Sequence, residues 1–329
     1  MRFNKLDLNL LVALDAMLTE RGISRAAERL HMSQSAMSNA LARLRDYFGD
    51  ELLVTVGRKM ALTPQAELLR EAVRDVLLRV DTTIAARPRF DPATAEREFK
   101  LFVSDYSVVT LLPPLLALAH QQAPGVTFQL MPQVAQQQRA LERGEVDLLV
   151  IPRAYCSPDH PTQALFEEAF CCVVWSQSRL ARQPLTLAAY AAAGHVVTQP
   201  PGLAQHSFET GLMLAQGLAR RVEVTTHSFA AAPHLVVGTE RIATVHRRLA
   251  ERAQRQLPIT LLAPPMPLQP MVQAMQWHKY RTPDPGLAWL RGLLPLAVLG
   301  MDETLARLGV SLLDAAPAPA AAAAADPRP

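Results

Sequence analysis

Apolar side chains fall at helical spacing in the first segment of the chain. Leu8, Leu11, Val12 and Leu18, with Asp15 among them, predict a first helix that Asp7 can cap. The pattern breaks at Gly22. Ser24 then stands where it would cap a short second helix, "RAAERL", with Ala26, Ala27 and Leu30 turned inward. His31 and Met32 turn the chain, and Ser33 caps a third helix, "QSAMSNALARLR", with only Met37, Leu41 and Leu44 to bury. Two short helices joined by a tight turn make a helix-turn-helix, whose second helix enters the DNA major groove by its N-terminal end. That placement gives the polar residues of the third helix a purpose: Gln34 and Asn39 can bond adenine, Ser33, Ser35 and Ser38 adapt to bases or phosphate, and Arg43 takes guanine or phosphate. Ser24 and Arg25 lie beside them on the second helix.

The period then changes. Leu52 to Val56 reads as a strand, Gly57-Arg58-Lys59 as a turn and Met60 to Leu62 as its return, a small hairpin or wing. Arg58 and Lys59 at its tip suit phosphates or a minor groove; a solvated turn is the alternative. Thr63-Pro64 starts a helix that runs to about Ala86, about 35 Å. Along it Ala66, Leu69, Val73, Val76, Val80 and Thr83 alternate at spacings of three and four, a coiled-coil seam. The seam serves either a second copy of the chain or the helix's own domain.

Beyond "RPRFDPATAEREF" strands and helices alternate. "FKLFVSD" is a strand, "YSVVTLLPPLLALAHQQAPG" a helix, "VTFQLM" a strand, and "QQQRALERGEVDLLVIP" a helix, a turn and a buried strand; "FCCVVW", "GHVVTQP", "FETGLMLAQGLA", "RRVEVTT", "RIATVH" and "MVQAMQW" continue the series. The alternation implies mostly parallel sheets with helices on their faces. About 220 residues is generous for one sheet, so two α/β lobes are expected, with ligand at the carboxyl ends of strands between them. "MDETLARLGVSLLDA" has the pattern of one more helix, and the Ala/Pro run over 314–329 reads as disordered.

Composition narrows the class. Half of the 329 residues are apolar, which suits a globular chain of two or three domains. The net charge of +3, from 33 basic and 30 acidic side chains, does not by itself point to nucleic acid. Local charge does more: from Ser24 to Arg45 the bases Arg25, Arg29, Arg43 and Arg45 face one acid, Glu28, although a solvated face reads the same way. Cys156, Cys171 and Cys172 form no CxxC and no paired framework, which fits a reducing cytosol; in "FCCVVW" the role of a small buried hydrophobe outweighs redox sensing. No apolar run is long enough to span a membrane, and the N-terminus lacks a cleavage pattern. There is no GxGxxG, P-loop, HExxH or GxSxG and no metal-spaced Cys/His cluster. An enzyme or a solute-binding protein with an α/β cleft is therefore the rival reading, and no metal or cofactor is expected.

The run "GISRAAERLHMSQSAMSNALARLR" followed by "GDELL…GRKMALTP" resembles the LysR-type transcriptional regulators, over nearly the whole chain bar its tail. "MRFNKLDLNLLVALDAMLTERG", "FDPATAEREFKLFVSDY", "GEVDLLVIP", "GHVVT" and "MQWHKY…DPGLAWLR" look most like the NodD/NahR/LinR branch, which includes flavonoid-responsive nodulation regulators and regulators of aromatic degradation. The opening segment is most similar to the nodulation type. The resemblance implies a winged helix-turn-helix over 1–62, a linker and dimerisation helix over 63–87 and a two-lobed, periplasmic-binding-protein-like effector module over 91–313. It implies a cytoplasmic homodimer or homotetramer, more an activator than a repressor, whose partners are promoter DNA, RNA polymerase and a small aromatic effector, flavonoid-like or a simple aromatic acid. Two departures stand out. Ser35 replaces the proline usual after the glutamine, and Thr55 replaces the usual wing arginine, leaving Arg58 and Lys59 as substitutes.

In this family the effector lies between the lobes. That points to Ser104, Asp105, Tyr106 and Ser107 after the first strand, Pro152 and Arg153 after "DLLVI", and Thr198 and Gln199 after "GHVV". It points also to His206, His227, Phe229, Trp277 and His278. Hydroxyls and an arginine hold a phenolate or carboxylate while the rings stack; for each residue ordinary loop or core duty is the alternative.

Overall fold

Leu10, Leu14, Met17 and Leu18, with Ala13 and Ala16, bury one side of helix α1 (Leu8–Glu20). Only half of the face its spacing suggested is buried: Leu18 is core and Leu11 packs on it, but Leu8 and Val12 are 46% and 40% exposed. The helix is apolar nearly all round, so packing against its neighbours chose the face. The computed structural model describes residues 6, 8–57, 59–84 (side chains to 80), 90–133, 137–199, 207–215 and 217–301. Asp7, Arg58, His206, the helix expected after Met301 and the Ala/Pro tail lie outside them.

Helix α2 (Ile23–Arg29) begins one residue before Ser24, with Gly22 as its N-cap and no side-chain cap bond. Ser24 is thus an exposed first-turn residue rather than the cap. Helix α3 (Gln34–Phe48) is capped as expected: Ser33 Oγ accepts from the Ala36 N–H, and Gly49 ends the helix in the left-handed conformation at φ 64°. His31 supplies the turn between α2 and α3 with φ 53°. The wing pairs β1 (Leu53–Val56) with β2 (Lys59–Leu62) in antiparallel register, Val56 opposite Lys59. Lys59 therefore opens the return strand, not the turn. Helix α4 (Pro64–Ile84) follows.

One acid pins the wing to α4. Asp50 Oδ1 accepts from the Leu52 N–H at 2.7 Å and the Thr63 hydroxyl at 2.6 Å. Thr63 Oγ1 in turn accepts from the Ala66 N–H at 3.1 Å, capping α4. The bonds hold Leu52, fully buried, at φ 59°, where a side chain is strained. Asp50→Ala is expected to cost the N-terminal unit about 1–3 kcal/mol, read as a lowered urea midpoint with the far-UV spectrum retained. An unchanged midpoint would show that the strand entry holds itself.

The second compact unit runs in the order β3 (Glu98–Val103), α5 (Asp105–Thr110), α6 (Leu112–Gln122), β4 (Thr127–Pro132), α7 (Gln137–Glu142), β5 (Leu148–Pro152), β6 (Thr162–Glu168), β7 (Phe170–Trp175), α8 (Leu187–Ala192), β8 (Gly194–Thr198), α9 (Phe208–Ala215), β9 (Arg221–Thr226), β10 (Arg241–His246), α10 (Arg247–Gln254), β11 (Ile259–Leu262), β12 (Met271–Gln276) and α11 (Pro285–Leu299). The two units are 1–88 with 139–145, and 89–138 with 146–329, so most of α7 belongs by its contacts to the first unit although it lies between β4 and β5 in the chain. The helix expected from Tyr106 onward is two, α5 and α6, because a proline at the start of α6 cannot continue the preceding ladder.

The strands form two five-stranded sheets, ordered β4-β3-β5-β12-β6 and β11-β7-β10-β8-β9. They are mixed rather than mostly parallel. β12 runs antiparallel to β5 and β6, and β7 antiparallel to β10 and β11. The chain passes from the first sheet to the second between β6 and β7 and returns before β12, and the strand entered after each crossing, β7 and then β12, opposes the βαβ direction. Each lobe has its own core, Phe99, Leu101, Leu115, Leu148 and Leu290 in the first and Val173, Val196, Val236 and Ala243 in the second. Cys171 and Cys172 are part of the second lobe's packing, and burial pushes both thiols up to about 12, which removes the reactive thiolate. Among the described residues no helix is long and apolar enough to cross a membrane.

Candidate functional site

The exposed half of α3 carries a polar row over an apolar one. Met37, Ala40, Leu41 and Leu44 are buried, while Gln34, Ser35, Ser38, Asn39 and Arg43 are exposed. Ser33 Oγ is shared between the cap and Ser35 Oγ at 3.0 Å, so these two hydroxyls stiffen the helix start. The first-turn N–H groups and the positive end of the helix dipole lie at the same end of α3 as Gln34, which suits a phosphate beside the base edges. Arg45 faces elsewhere: it donates to the carbonyls of Glu51 at 2.8 Å and Leu53 at 2.9 Å, and so ties the wing to α3. Arg25 donates to the Glu20 carbonyl at the end of α1, a backbone cap on an otherwise orphaned acceptor. Lys59 is exposed on the wing.

The expected seam on α4 divides in two. Ala66 and Val73 are 0% and 4% exposed within the unit's own core, and Leu69 packs on it. Those three are therefore spent on the domain itself. Val76 is 42% exposed and Val80 half-buried; the Thr83 side chain lies outside the described residues. A different line, Leu68 at 80% exposure, Ala72 and Val76, faces outward at four-residue spacing.

Between the two sheets of the second unit lies a small cavity of about 40 Å³ that opens to solvent. Tyr106, Tyr155, Phe208, Phe229, His246 and Met271 form its apolar and aromatic walls. Ser104, Gln133, Ser207, Glu209 and Gln273 supply polar groups, and Pro152 completes the lining. The Tyr106 ring stacks on His246 at 4.2 Å, with Phe229 at 5.1 Å and Phe170 at 5.3 Å from the same imidazole. Burial drives the His246 pKa down to about 4, so the ring is neutral. The Tyr106 hydroxyl donates to Glu168, a fully buried carboxylate that Arg248 pairs at 2.9 Å. Glu209, the one charged residue among the described residues of the lining, is ion-paired with Arg220.

A shallower recess adjoins it, lined by Ser104, Asp105, Gln133, His227, Ser228 and Phe229 among others. Asp105 Oδ2 accepts there from the Ser228 hydroxyl at 2.6 Å and the Ala230 N–H at 3.0 Å, a link across the two lobes. Of the residues expected to hold an effector, Ser104, Tyr106, Pro152 and Phe229 line the cavity, and Asp105 and His227 the recess.

The others stand apart from both. Ser107 is fully buried and accepts from Gln273. Arg153 is exposed in the turn after β5. Thr198 ends β8 buried at 7%, and the Gln199 N–H extends the pairing to Thr226 at 2.7 Å. Trp277 is core, with Nε1 bonded to Thr282 and the Arg291 guanidinium 4.2 Å from its ring. His278 accepts from the Tyr280 N–H and packs on His160, a structural histidine. Sequence reasoning missed Gln133, Tyr155, Ser207, Phe208, Glu209, His246, Met271 and Gln273. His246 was within reach, since it ends the strand "RIATVH" at its carboxyl side. Gln273 was not, because it sits inside an antiparallel strand whose direction only the topology gives.

Residues 8–67 match the family described as "Bacterial regulatory helix-turn-helix protein, lysR family", and 92–295 match "LysR substrate binding domain". The chain is 40% identical over 294 residues to Nodulation protein D of Bradyrhizobium sp. (strain ANU 289), covering 89% of this chain and 87% of that one. A probable transcriptional regulator from Pseudomonas aeruginosa superimposes with TM-score 0.61 and 29% identity over 89% of this chain and 97% of its own. Full-length OxyR from the same organism shares the fold alone, with TM-score 0.67 at 18% identity over 89% and 95% of the two chains.

Proposed function

As the chain belongs to the LysR family of bacterial transcriptional regulators, whose members here are regulators and not enzymes, we propose that it reads operator DNA with α3 and the wing under the control of a neutral aromatic effector held between its lobes. The observation that carries the DNA half is the exposed polar row Gln34, Ser35, Ser38 and Asn39 on a helix anchored by Met37, Leu41 and Leu44. Arg43, Arg58 and Lys59 add phosphate contacts. Two copies associate through the Leu68–Ala72–Val76 line and place two recognition helices on two half-sites. Activation through RNA polymerase belongs to the same reading.

The cavity's chemistry supports a flavonoid-like inducer over an aromatic acid. Its rings stack on a planar molecule, but among the described residues no cation lines it to balance a carboxylate, and the nearby Arg220 is already paired with Glu209. The likeness to nodulation proteins D points the same way. Full-length protein is expected to retard DNA from upstream of its own gene, with the footprint altered by hydroxylated flavones and not by salicylate. The reverse ligand preference would make it a sensor of aromatic acids.

Gln34→Ala is expected to cost about 1–3 kcal/mol at one base pair and leave binding to unrelated DNA unchanged. Lys59→Ala should weaken every sequence alike and lower the salt slope by about one. Fluorescence anisotropy on wild-type and base-substituted sites checks both. Uniform losses for both variants would overturn the assignment of α3 as the reading helix.

A further inference from the structure

The wing is a hairpin of four residues a strand, and a two-stranded ribbon of that size does not hold its own direction. Leu52 and Leu53 at its base are buried, while Thr55, Val56 and Lys59 toward its tip are exposed. Three residue steps carry the strand about 10 Å beyond that base, so a tilt of about 20° displaces the tip by roughly 3.4 Å. A hydrogen bond does not tolerate such a shift. Whatever fixes the base therefore decides whether the tip reaches a phosphate.

Two anchors fix it. Asp50 and Thr63 fasten the base to α4, with the Thr63 N–H also donating to the Leu52 carbonyl at 3.1 Å. Arg45, near the end of α3, supplies the other. Its Nε donates to the Glu51 carbonyl at 2.8 Å and its Nη2 to the Leu53 carbonyl at 2.9 Å. The same Nη2 lies 3.0 Å from the Glu51 carboxylate, an exposed pair that contributes little. The two carbonyls matter more, because they belong to the main chain that enters β1. A planar guanidinium presents its donors in a fixed fork, so it holds both at one angle to the helix. Gln34 stands on that helix about three turns nearer its start.

We infer that Arg45 is a positioning residue for DNA binding: it aligns the wing with the reading helix, so that the phosphate contacts of Arg58 and Lys59 depend on a side chain that itself touches no DNA. The inference rests on the proposed reading of DNA by α3 and the wing, and adds the group that sets one against the other. Nε and Nη2 of Arg45 are both spent on main-chain acceptors. The polar row of α3 does not depend on them, since Met37, Leu41 and Leu44 seat it.

Fluorescence anisotropy of the full-length chain on DNA from upstream of its own gene, repeated over a salt series, tests this. Arg45→Met keeps the stem of the side chain and removes the fork. It should weaken binding at least about tenfold at low salt and lower the salt slope by about two, one for each wing contact, with base preference unchanged. Arg58→Ala combined with Lys59→Ala should lower the slope by the same amount. Adding Arg45→Met to that pair should change affinity less than about twofold, because nothing remains to be positioned. Arg45→Lys keeps the charge but not the fork, and should behave like Arg45→Met.

A wild-type slope in Arg45→Met overturns the inference and leaves the DNA reading standing. A further loss when Arg45→Met joins the wing pair overturns it, as does recovery by Arg45→Lys, because Arg45 would then bind phosphate itself. An unchanged slope in the wing pair overturns both the inference and the wing's part in the DNA reading. Arg45→Lys retains length and charge, so the test stands even where Arg45→Met folds poorly.

Discussion

Asp284→Ala is expected to lower the stability of the second unit by about 3–5 kcal/mol, a fall in Tm of roughly 6–20 °C. Asp284 caps α11 by accepting from the Leu287 N–H at 3.1 Å. It also takes both prongs of Arg97, at 2.6 and 2.9 Å, and lies 3.6 Å from Arg281. Removing it leaves two largely buried guanidiniums with Asp147 as their remaining carboxylate, at 3.4 Å from Arg97 and 2.7 Å from Arg281.

The same group sets an acid dependence. Burial alone would raise the Asp284 carboxyl, but the bonds from Arg97 and the Leu287 N–H, with the charges of Arg97 and Arg281, outweigh it and hold the group at about 2. A depressed carboxyl stabilises the fold above its unfolded value, near 4, and that contribution is lost as pH falls through about 2. It amounts to about 2 kcal/mol. The gap between wild type and Asp284→Ala should therefore be full at pH 7 and narrow between pH 4 and 2. A gap of the same size at both ends of that range, measured by urea unfolding, would remove the ion network from the account.

The second large effect separates the two sides of α4. Val73→Asp puts a charge into the core of the N-terminal unit and should cost several kcal/mol, enough to abolish its cooperative unfolding. Leu68→Asp, on a residue 80% exposed, should change stability by no more than about 0.5 kcal/mol. It should nevertheless dissociate the dimer, seen by sedimentation, and weaken two-half-site DNA by at least about tenfold while sparing a single half-site. If Leu68→Asp leaves self-association intact, the Leu68–Ala72–Val76 line is not the interface.

This pair of residues also shows how far sequence reading reached. Three-and-four spacing on α4 is real on both sides of the helix, and it cannot say which side the domain covers. Ala66, Leu69 and Val73 were read as part of a seam that serves either a partner or the helix's own domain, and the domain takes them. Helix α3 was legible because its signals are local. Ser33 caps it, Gly49 ends it, and a polar row beside three apolar anchors has few explanations in a helix that short. The cleft was only half legible. Residues at strand ends, Ser104, Tyr106 and Pro152, follow from the rule for open sheets, whereas Trp277 and His278 were chosen for their chemistry and belong to packing and capping.

By itself, then, the sequence determined the features that depend on neighbours within a few residues: the caps of α3 and α4, the wing, the break at Gly22, the alternation of strand and helix, and the family. Only the tertiary structure decided which face of α1 and α4 is buried, that each sheet is mixed, and that Gln273, His246 and Phe208 meet Tyr106 across one cleft. Capping and periodicity are short-range and are written in consecutive residues. Burial and convergence come from contacts between segments far apart in the chain, such as Ser107 with Gln273, and no local pattern specifies them.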